Sequence, residues 1–253
     1  MRRNIYTLSV ISVVVLALLV AEWSREQKHP VYQIDIVGQS ADEQFLQRED
    51  ILAQIGEDKT TEEAVFPLLY QDTPDLKALE RSLQRNPFVA NCQAARDVKG
   101  HINIRVEENR PLARVITSNQ AAGYYLTTAG KKLPLSDNFT PHTLLITGEG
   151  TSRFEYGEFW QGEEGKRILD AIRYLSEEAF WQAQCTQLDV DQENNWTLYP
   201  QVGQHRIELG TLDNIKEKLY LLRRAYYEQI LPRKGWGAYE VISFRYDGQI
   251  VCR

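Results

Sequence analysis

The sequence predicts an α+β protein: a single apolar N-terminal helix, a small β-α-α-β-β domain, and a larger, mostly antiparallel β domain with two amphipathic helices. Three observations carry this. Residues 5–21 contain no charged side chain. Residues 31–108 place two helical apolar stripes among strand-like runs. From residue 112 onward, short extended runs separated by turn residues predominate, interrupted twice by helical spacing.

Leu, Val, Ile and Ala dominate residues 5–21, among them Ile5, Val13, Leu16, Leu19 and Ala21. The run reaches the short end of the ~17–25 residues that cross a bilayer as a helix. Arg2 and Arg3 precede it, and Trp23 follows at interfacial depth. Arg25 and Lys28 lie beyond, diluted by Glu22 and Glu26, so the very short stub favours an amino end inside and the body outside. A cleaved signal peptide would carry an apolar core of ~7–15 residues and a small-x-small site. Leu19 and Ala21 would have to supply that site, and Leu fits it poorly. The expectation is a retained single-pass anchor within residues 1–25.

Composition excludes several classes. The 253-residue chain has a net charge of −6, whereas a nucleic-acid binder needs a basic face for phosphates. Cys92, Cys185 and Cys252 are odd in number, widely spaced and in no CxxC pair. With only four scattered His, no convergent metal-ligand set is legible. One disulfide is compatible with an oxidising compartment, but the spacing does not choose its pair.

In the first block, "VYQIDIV" (31–37) reads as a strand closed by Gly38. "QREDILAQIG" (47–56) reads as a helix with Ile51, Leu52 and Ile55 on one face and Gly56 as its stop. "TPDLKALERSLQRNP" (73–87) reads as a second helix, with Thr73 as N-cap, Pro74 at the first position and Leu76, Leu79 and Leu83 as its stripe. "FVANCQAARDV" and "HINIRVEE" follow as strands around a turn at Lys99-Gly100. The expected core includes Ile36, Leu52, Leu79, Val89 and Ile104. A sheet with two helices on one face is a complete small α+β domain.

In the second block, extended runs recur at "ARVITS", "GYYLTT", "HTLLITG", "CTQLDV", "NWTLYP" and "HRIELG". "KRILDAIRYLSEEAFW" carries Ile168, Ile172, Leu175 and Ala179 at helical spacing. "LDNIKEKLYLLRRAYYEQIL" carries Ile215, Leu219, Leu222, Tyr226 and Ile230 likewise. Both have charged outer faces and should lie along a sheet.

Catalytic readings fail one by one. Glu107 and Glu108 are adjacent in a strand, so they face opposite sides and read as a solvated strand end. "LDVDQEN" lacks the Gly and terminal Glu of a calcium loop and reads as strand-turn-strand. His101, His142 and His205 fall near turns without nucleophile partners and read as surface or capping residues. "AGKKLPL" lacks the phosphate-loop pattern. "NFT" at Asn138 matches the glycosylation sequon, which means little in a bacterial-type protein. No enzyme signature, cofactor motif or metal site emerges.

The chain closes with "AYEVISFRYDGQIVCR". Ile242, Phe244 and Tyr246 alternate with Ser243 and Arg245, the period of a strand with one buried face. Asp247-Gly248 signals a turn, and residues 249–252 begin another extended run. A closing strand at a sheet edge carries unpaired N–H and C=O groups, which proteins normally cover or charge. Here Arg245, Asp247 and Arg253 are the only charges beyond Glu240, so the edge is thinly protected. Such an edge accepts a strand from another chain.

Order and spacing together carry a family. The short stub, one anchor, "IDIVGQS", the β-α-α-β-β block and then "NPFVANCQAARDVKGHINIRVEENRPLARV" resemble the FtsQ/DivIB bitopic cell-division proteins. The matches are Val37-Gly38-Gln39 with Gln for the family's Asn, Pro87-Phe88-Val89, and Glu108, Pro111 and Ala113. "YYLTTAGKKLPLS" is similar to the family hairpin, with Thr127 where Asp is common. "HRIELGTLDNIKEKL" and "ISFRYDGQIV" are similar to its later steps, and the composition is similar to that of Bacteroidetes-like division proteins. The resemblance implies a POTRA domain at residues 31–108, an FtsQ-type β domain at 112–253 and no enzymatic activity or cofactor. It implies an inner-membrane protein at the division septum, with its N-terminus cytoplasmic and its bulk periplasmic. There it would link cytoplasmic division components to septal peptidoglycan synthesis by binding FtsB and FtsL-like bitopic proteins and other divisome components. The expected partner site is Ile242, Ser243, Phe244, Arg245, Tyr246, Gly248, Gln249, Ile250 and Val251. The alternative is a POTRA-type periplasmic chaperone or assembly factor, which would normally carry several such repeats and a barrel. An anchored hydrolase would need a convergent catalytic set.

Overall fold

The computed structural model describes residues 32–37, 44–56, 75–98, 101–117, 120–246 and 249–253. The chain divides into two compact units. One holds Leu46–Glu108 together with the first strand; the other holds Asn109–Arg253 together with residues 44 and 45.

The smaller unit runs β1 (Tyr32–Val37), α1 (Arg48–Gly56), α2 (Leu76–Gln84), β2 (Val89–Arg96) and β3 (Ile102–Glu108). Its sheet order is β1-β3-β2, with β1 parallel and β2 antiparallel to β3. Helix α1 buries Ile51 and Ile55, one turn apart on a single face. Leu52, expected on that face, is 38% exposed, because one residue turns the helix by about 100°. Helix α2 is capped by Asp75, whose Oδ1 accepts from Ala78 N at 3.1 Å; this replaces the expected Thr73 cap. Thr73 and Pro74 lie outside the described residues. Leu79, Leu83, Val89 and Ile104 are buried as the spacing predicts, while Ile36 is half-buried against them. Gln54 Nε2 donates to Ser82 O at 2.8 Å and its Oε1 accepts from Asn86, tying α1 to the end of α2.

The larger unit contains β4 (Pro111–Thr117), β5 (Gln120–Thr127), β6 (Lys132–Leu133), β7 (Leu144–Thr147), β8 (Cys185–Val190), β9 (Trp196–Pro200), β10 (Arg206–Gly210), β11 (Val241–Ser243) and β12 (Val251–Cys252). They form one sheet, ordered β12-β11-β10-β9-β8-β7-β4-β5-β6. The pairs β4–β7, β7–β8 and β10–β11 are parallel; the rest are antiparallel. All six runs expected in this block are strands. The two-residue β6 is too short to leave a periodic signal.

The first expected helix is broken, and the second is unbroken but changes its winding. The first divides into α3 (Glu163–Glu177) and α4 (Ala179–Gln184) at Glu178, whose backbone turns extended and whose carboxylate accepts from Trp181 N at 3.0 Å. A side-chain cap inside the apolar stripe thus starts a new helix. The second begins as α5 (Ile215–Leu221), widens into a π-helical segment (Leu222–Ile230) and ends in α6 (Leu231–Lys234). The wider turn buries the consecutive Tyr226 and Tyr227 together.

The segments Glu149–Glu155 and Phe159–Gln161 are 3-10 turns that bring Phe154 and Trp160 into the core. Gly148 leads into the first at φ +107°, where a Cβ would come within 2.2 Å of Val190 O. Lys132 Nζ donates to Phe154 O at 2.7 Å, and Trp160 Nε1 donates to the Tyr124 hydroxyl at 3.1 Å. Trp160, Trp181 and Trp196 are the largest fully buried side chains of this unit.

Among the described residues no helix is long and apolar enough to cross a membrane. The anchor expected at residues 5–21 (Ile5, Val13, Leu16, Leu19, Ala21) lies outside them.

Candidate functional site

The closing residues complete one end of the larger sheet. Strand β11 lies between two neighbours. It pairs in parallel with β10 (Arg206↔Val241, Ile207↔Ile242, Glu208↔Ser243) and antiparallel with β12 (Ile242↔Cys252, Ser243↔Val251). Phe244 N continues the first ladder to Glu208 O at 2.7 Å. Val241 and Arg253 exchange both backbone bonds, Val241 N→Arg253 O at 3.0 Å and Arg253 N→Val241 O at 2.9 Å. In an antiparallel pair the next residue then turns its N–H and C=O the other way. The backbone of Cys252 is therefore directed away from β11, and β12 ends the sheet order. The open edge belongs to β12 and not to β11.

Ile242 and Phe244 face the core as the alternation predicts. Ser243 is also buried, at 3% exposure, and Tyr246 is 65% exposed, both against a simple alternation. Regular strand stops at Ser243, so the period cannot extend to Tyr246. Ser243 is covered because its register partner on the outer face is Glu208. Gln249 is exposed, its N–H closing a turn onto Tyr246 O at 3.2 Å. Ile250 and Cys252 pack against the core, and Val251 is half-buried. Gly248 lies outside the described residues.

The outer face is charged. Glu208 is only 8% exposed. Its carboxylate is approached by Arg206 Nε at 3.7 Å, Arg245 Nε at 3.6 Å and an Arg253 guanidinium nitrogen at 3.5 Å. Three solvent-accessible guanidiniums thus share one shielded carboxylate, and Arg245 also lies within electrostatic reach of Asp191. Glu208 and Arg206 were not among the expected site residues. The signal lay in "HRIELG": a Glu between Ile207 and Leu209, two positions after an Arg, shares that Arg's face of the strand. On the helix side, Lys218 and Leu221 of α5 face Phe244, Tyr246 and Ile250 across a shallow groove of about 160 Å³. Lys218 Nζ is held at the helix start by Leu209 O (3.0 Å) and Thr211 O (2.7 Å).

The other residues weighed for chemistry are dispersed. His101 Nδ1 meets Asp97 Oδ2 at 3.0 Å across a turn, and His142 is exposed. His205, expected as a surface or capping residue, is buried. Glu108 is not simply solvated, because its Oε1 accepts from Leu46 N at 2.7 Å. In "LDVDQEN", Asp189 accepts from Thr147 and Asp191 from Asn195, as a strand-turn-strand requires. Among the described residues no group of three or more His, Cys, Asp or Glu could hold a metal ion. The three cysteines are free, and burial raises all three thiols, Cys92 to about 11.

A family model, FtsQ/DivIB, C-terminal related, matches residues 110–253. The chain belongs to this family. The matched region is the larger unit, including the closing hairpin. The cell division protein FtsQ of Salinibacter ruber (strain DSM 13855 / M31) is 28% identical to this FtsQ/DivIB chain over 253 residues, covering 97% of the chain and 90% of that protein.

Proposed function

We propose that this chain is a non-enzymatic scaffold of the bacterial divisome, working by strand addition at β12. The open edge carries the reading. Backbone groups at Cys252 point away from the sheet, and main-chain bonds to an added strand supply affinity while flanking side chains supply specificity. Arg245 and Arg253 beside that edge favour an incoming segment bearing carboxylates. Membership of the FtsQ/DivIB family and likeness to a cell division protein support the divisome role. On this reading the partners are FtsB and FtsL-like bitopic proteins, the contact runs along β12 with the exposed Arg245 and Tyr246 beside it, and no catalytic group is required.

Two further elements belong to the same reading. Residues 5–21 form a single-pass inner-membrane anchor, with the N-terminus cytoplasmic and the bulk periplasmic. Residues 31–108 form a POTRA domain, supported by the β-α-α-β-β order of the smaller unit, and residues 112–253 form the partner-binding β domain.

The test is capture of an FtsB-like bait from solubilised membranes. Cys252→Pro removes one outward donor without touching the β11 ladder; at Arg245 the N–H already reaches Ser243 Oγ at 3.5 Å, so proline there is less decisive. Wild type captures the bait, whereas Cys252→Pro and a chain lacking residues 246–253 do not. Capture by the truncated chain at wild-type affinity would overturn the proposal.

A further inference from the structure

His205, just before β10, is only 2% exposed, and among the described residues neither ring nitrogen has a hydrogen-bond partner. Its ring stacks on Trp236, with centroids 6.1 Å apart and planes at 24°, and meets Tyr226 edge-on at 5.2 Å. The hydroxyls of Tyr226 and Tyr227 in the π segment are likewise buried without partners. Gly203, at φ +98°, closes over the ring. A Cβ there would fall 2.7 Å from His205 Nδ1 and 3.1 Å from Trp236 Cε3, so a bare backbone is what lets the chain seal this site.

The site accepts only a neutral imidazole. Burial lowers the proton affinity of His205, and its neighbours among the described residues supply no counter-charge. The π segment presents two phenols, and Tyr226 in turn neighbours the Cys252 thiol of β12. The stretch 235–240 presents the indole of Trp236 and, beside Tyr226, the phenol of Tyr239. Within β10, Arg206 and Glu208 lie on the opposite face and pair with each other. Glu240 meets Arg206 through its backbone oxygen, Arg206 N→Glu240 O at 2.9 Å. Among the described residues no carboxylate accepts from either nitrogen of the His205 ring.

We propose that His205 is an acid-sensitive latch on the closing hairpin. A proton taken up by either ring nitrogen creates a buried imidazolium with no anionic partner among the described residues, which must be hydrated or expelled. The way out is past Trp236, which is 39% exposed, on the stretch 235–240 that runs directly into β11. Glu240 is the joint. Its O holds Arg206 N, and its N donates to Arg253 O at 2.7 Å. Lifting Trp236 therefore loosens the first rungs of both the β10–β11 and β11–β12 ladders. The folded-state affinity lies below histidine's ordinary 6.5, so the open form binds the proton first. The latch contributes fully above about pH 6.5 and is lost as pH falls below it.

The test is amide hydrogen exchange of the full-length protein in detergent, corrected for intrinsic rates, from about pH 7.5 down to about pH 5. In wild type, protection of residues 238–243 falls below about pH 6.5, by at most tenfold per pH unit for one proton. His205→Phe occupies the same slot without titrating and keeps that protection flat. The His205 ring resonances in the wild-type protein provide a second readout, with a midpoint below 6.5 at which the loss of protection levels off. An ordinary midpoint, unchanged protection in wild type, or the same loss in His205→Phe would each overturn the latch.

Discussion

Glu208 Oε2 lies 3.6 Å from Arg245 Nε, joining the penultimate strand pair to the residue where regular strand has ended. Because Arg253 shares the same oxygen at 3.5 Å, one carboxylate holds both arms of the closing hairpin. Glu208→Gln keeps the shape and removes the charge. It should cost about 1 kcal/mol, at the top of the range for partly exposed pairs because the guanidiniums are solvated. Chemical unfolding at low and high salt checks this, and the gap between wild type and variant should narrow as salt rises.

The smaller unit gives a paired prediction. Leu79 is 1% exposed and Leu52 is 38% exposed, although both belong to apolar helix positions. In the full chain, Leu79→Ala should destabilise this unit by about 2–5 kcal/mol, while Leu52→Ala should stay within roughly 0.5 kcal/mol. Denaturant titrations followed by amide exchange in β2 and β3 distinguish the two.

Tyr124 links the core to alkaline stability. Burial, with the Glu155 carboxylate nearby, pushes its phenol up to about 12 despite the hydrogen bond from Trp160. The neutral phenol is favoured in the fold, so its contribution is intact below the ordinary 10 and falls away as pH rises towards 12. Tyr124→Phe strands the buried indole N–H and should cost about 1–3 kcal/mol near neutrality. It should also remove part of the alkaline slope, read from urea midpoints between about pH 8 and pH 11.

Most strands of the larger unit were legible because each carries a short apolar run bounded by turn residues, as in "CTQLDV" and "HRIELG". The β-α-α-β-β order of the smaller unit was legible for the same reason. The break at Glu178 and the π segment were not. Glu178 reads as one more polar residue on a charged face until its carboxylate is seen capping Trp181 N, and nothing local distinguishes the π turn from α-helix at Tyr226 and Tyr227. The closing strands were legible along the chain, but their order across the sheet was not. Which of β11 and β12 lies outermost depends on the parallel docking of β11 onto β10, a contact between segments distant in sequence. The burial of His205 has the same origin, since Gly203, Tyr226 and Trp236 reach it from three separate elements.

That parallel docking also bears on when the edge comes into being. Strands β10 and β11 cannot be joined by a tight turn; residues 211–240, carrying α5, the π segment and α6, must first be laid across the sheet. Pairings that close such long loops form late and slowly. A nascent or partly folded chain therefore has no finished β12 edge, which exists only once the far end of the sheet has been built.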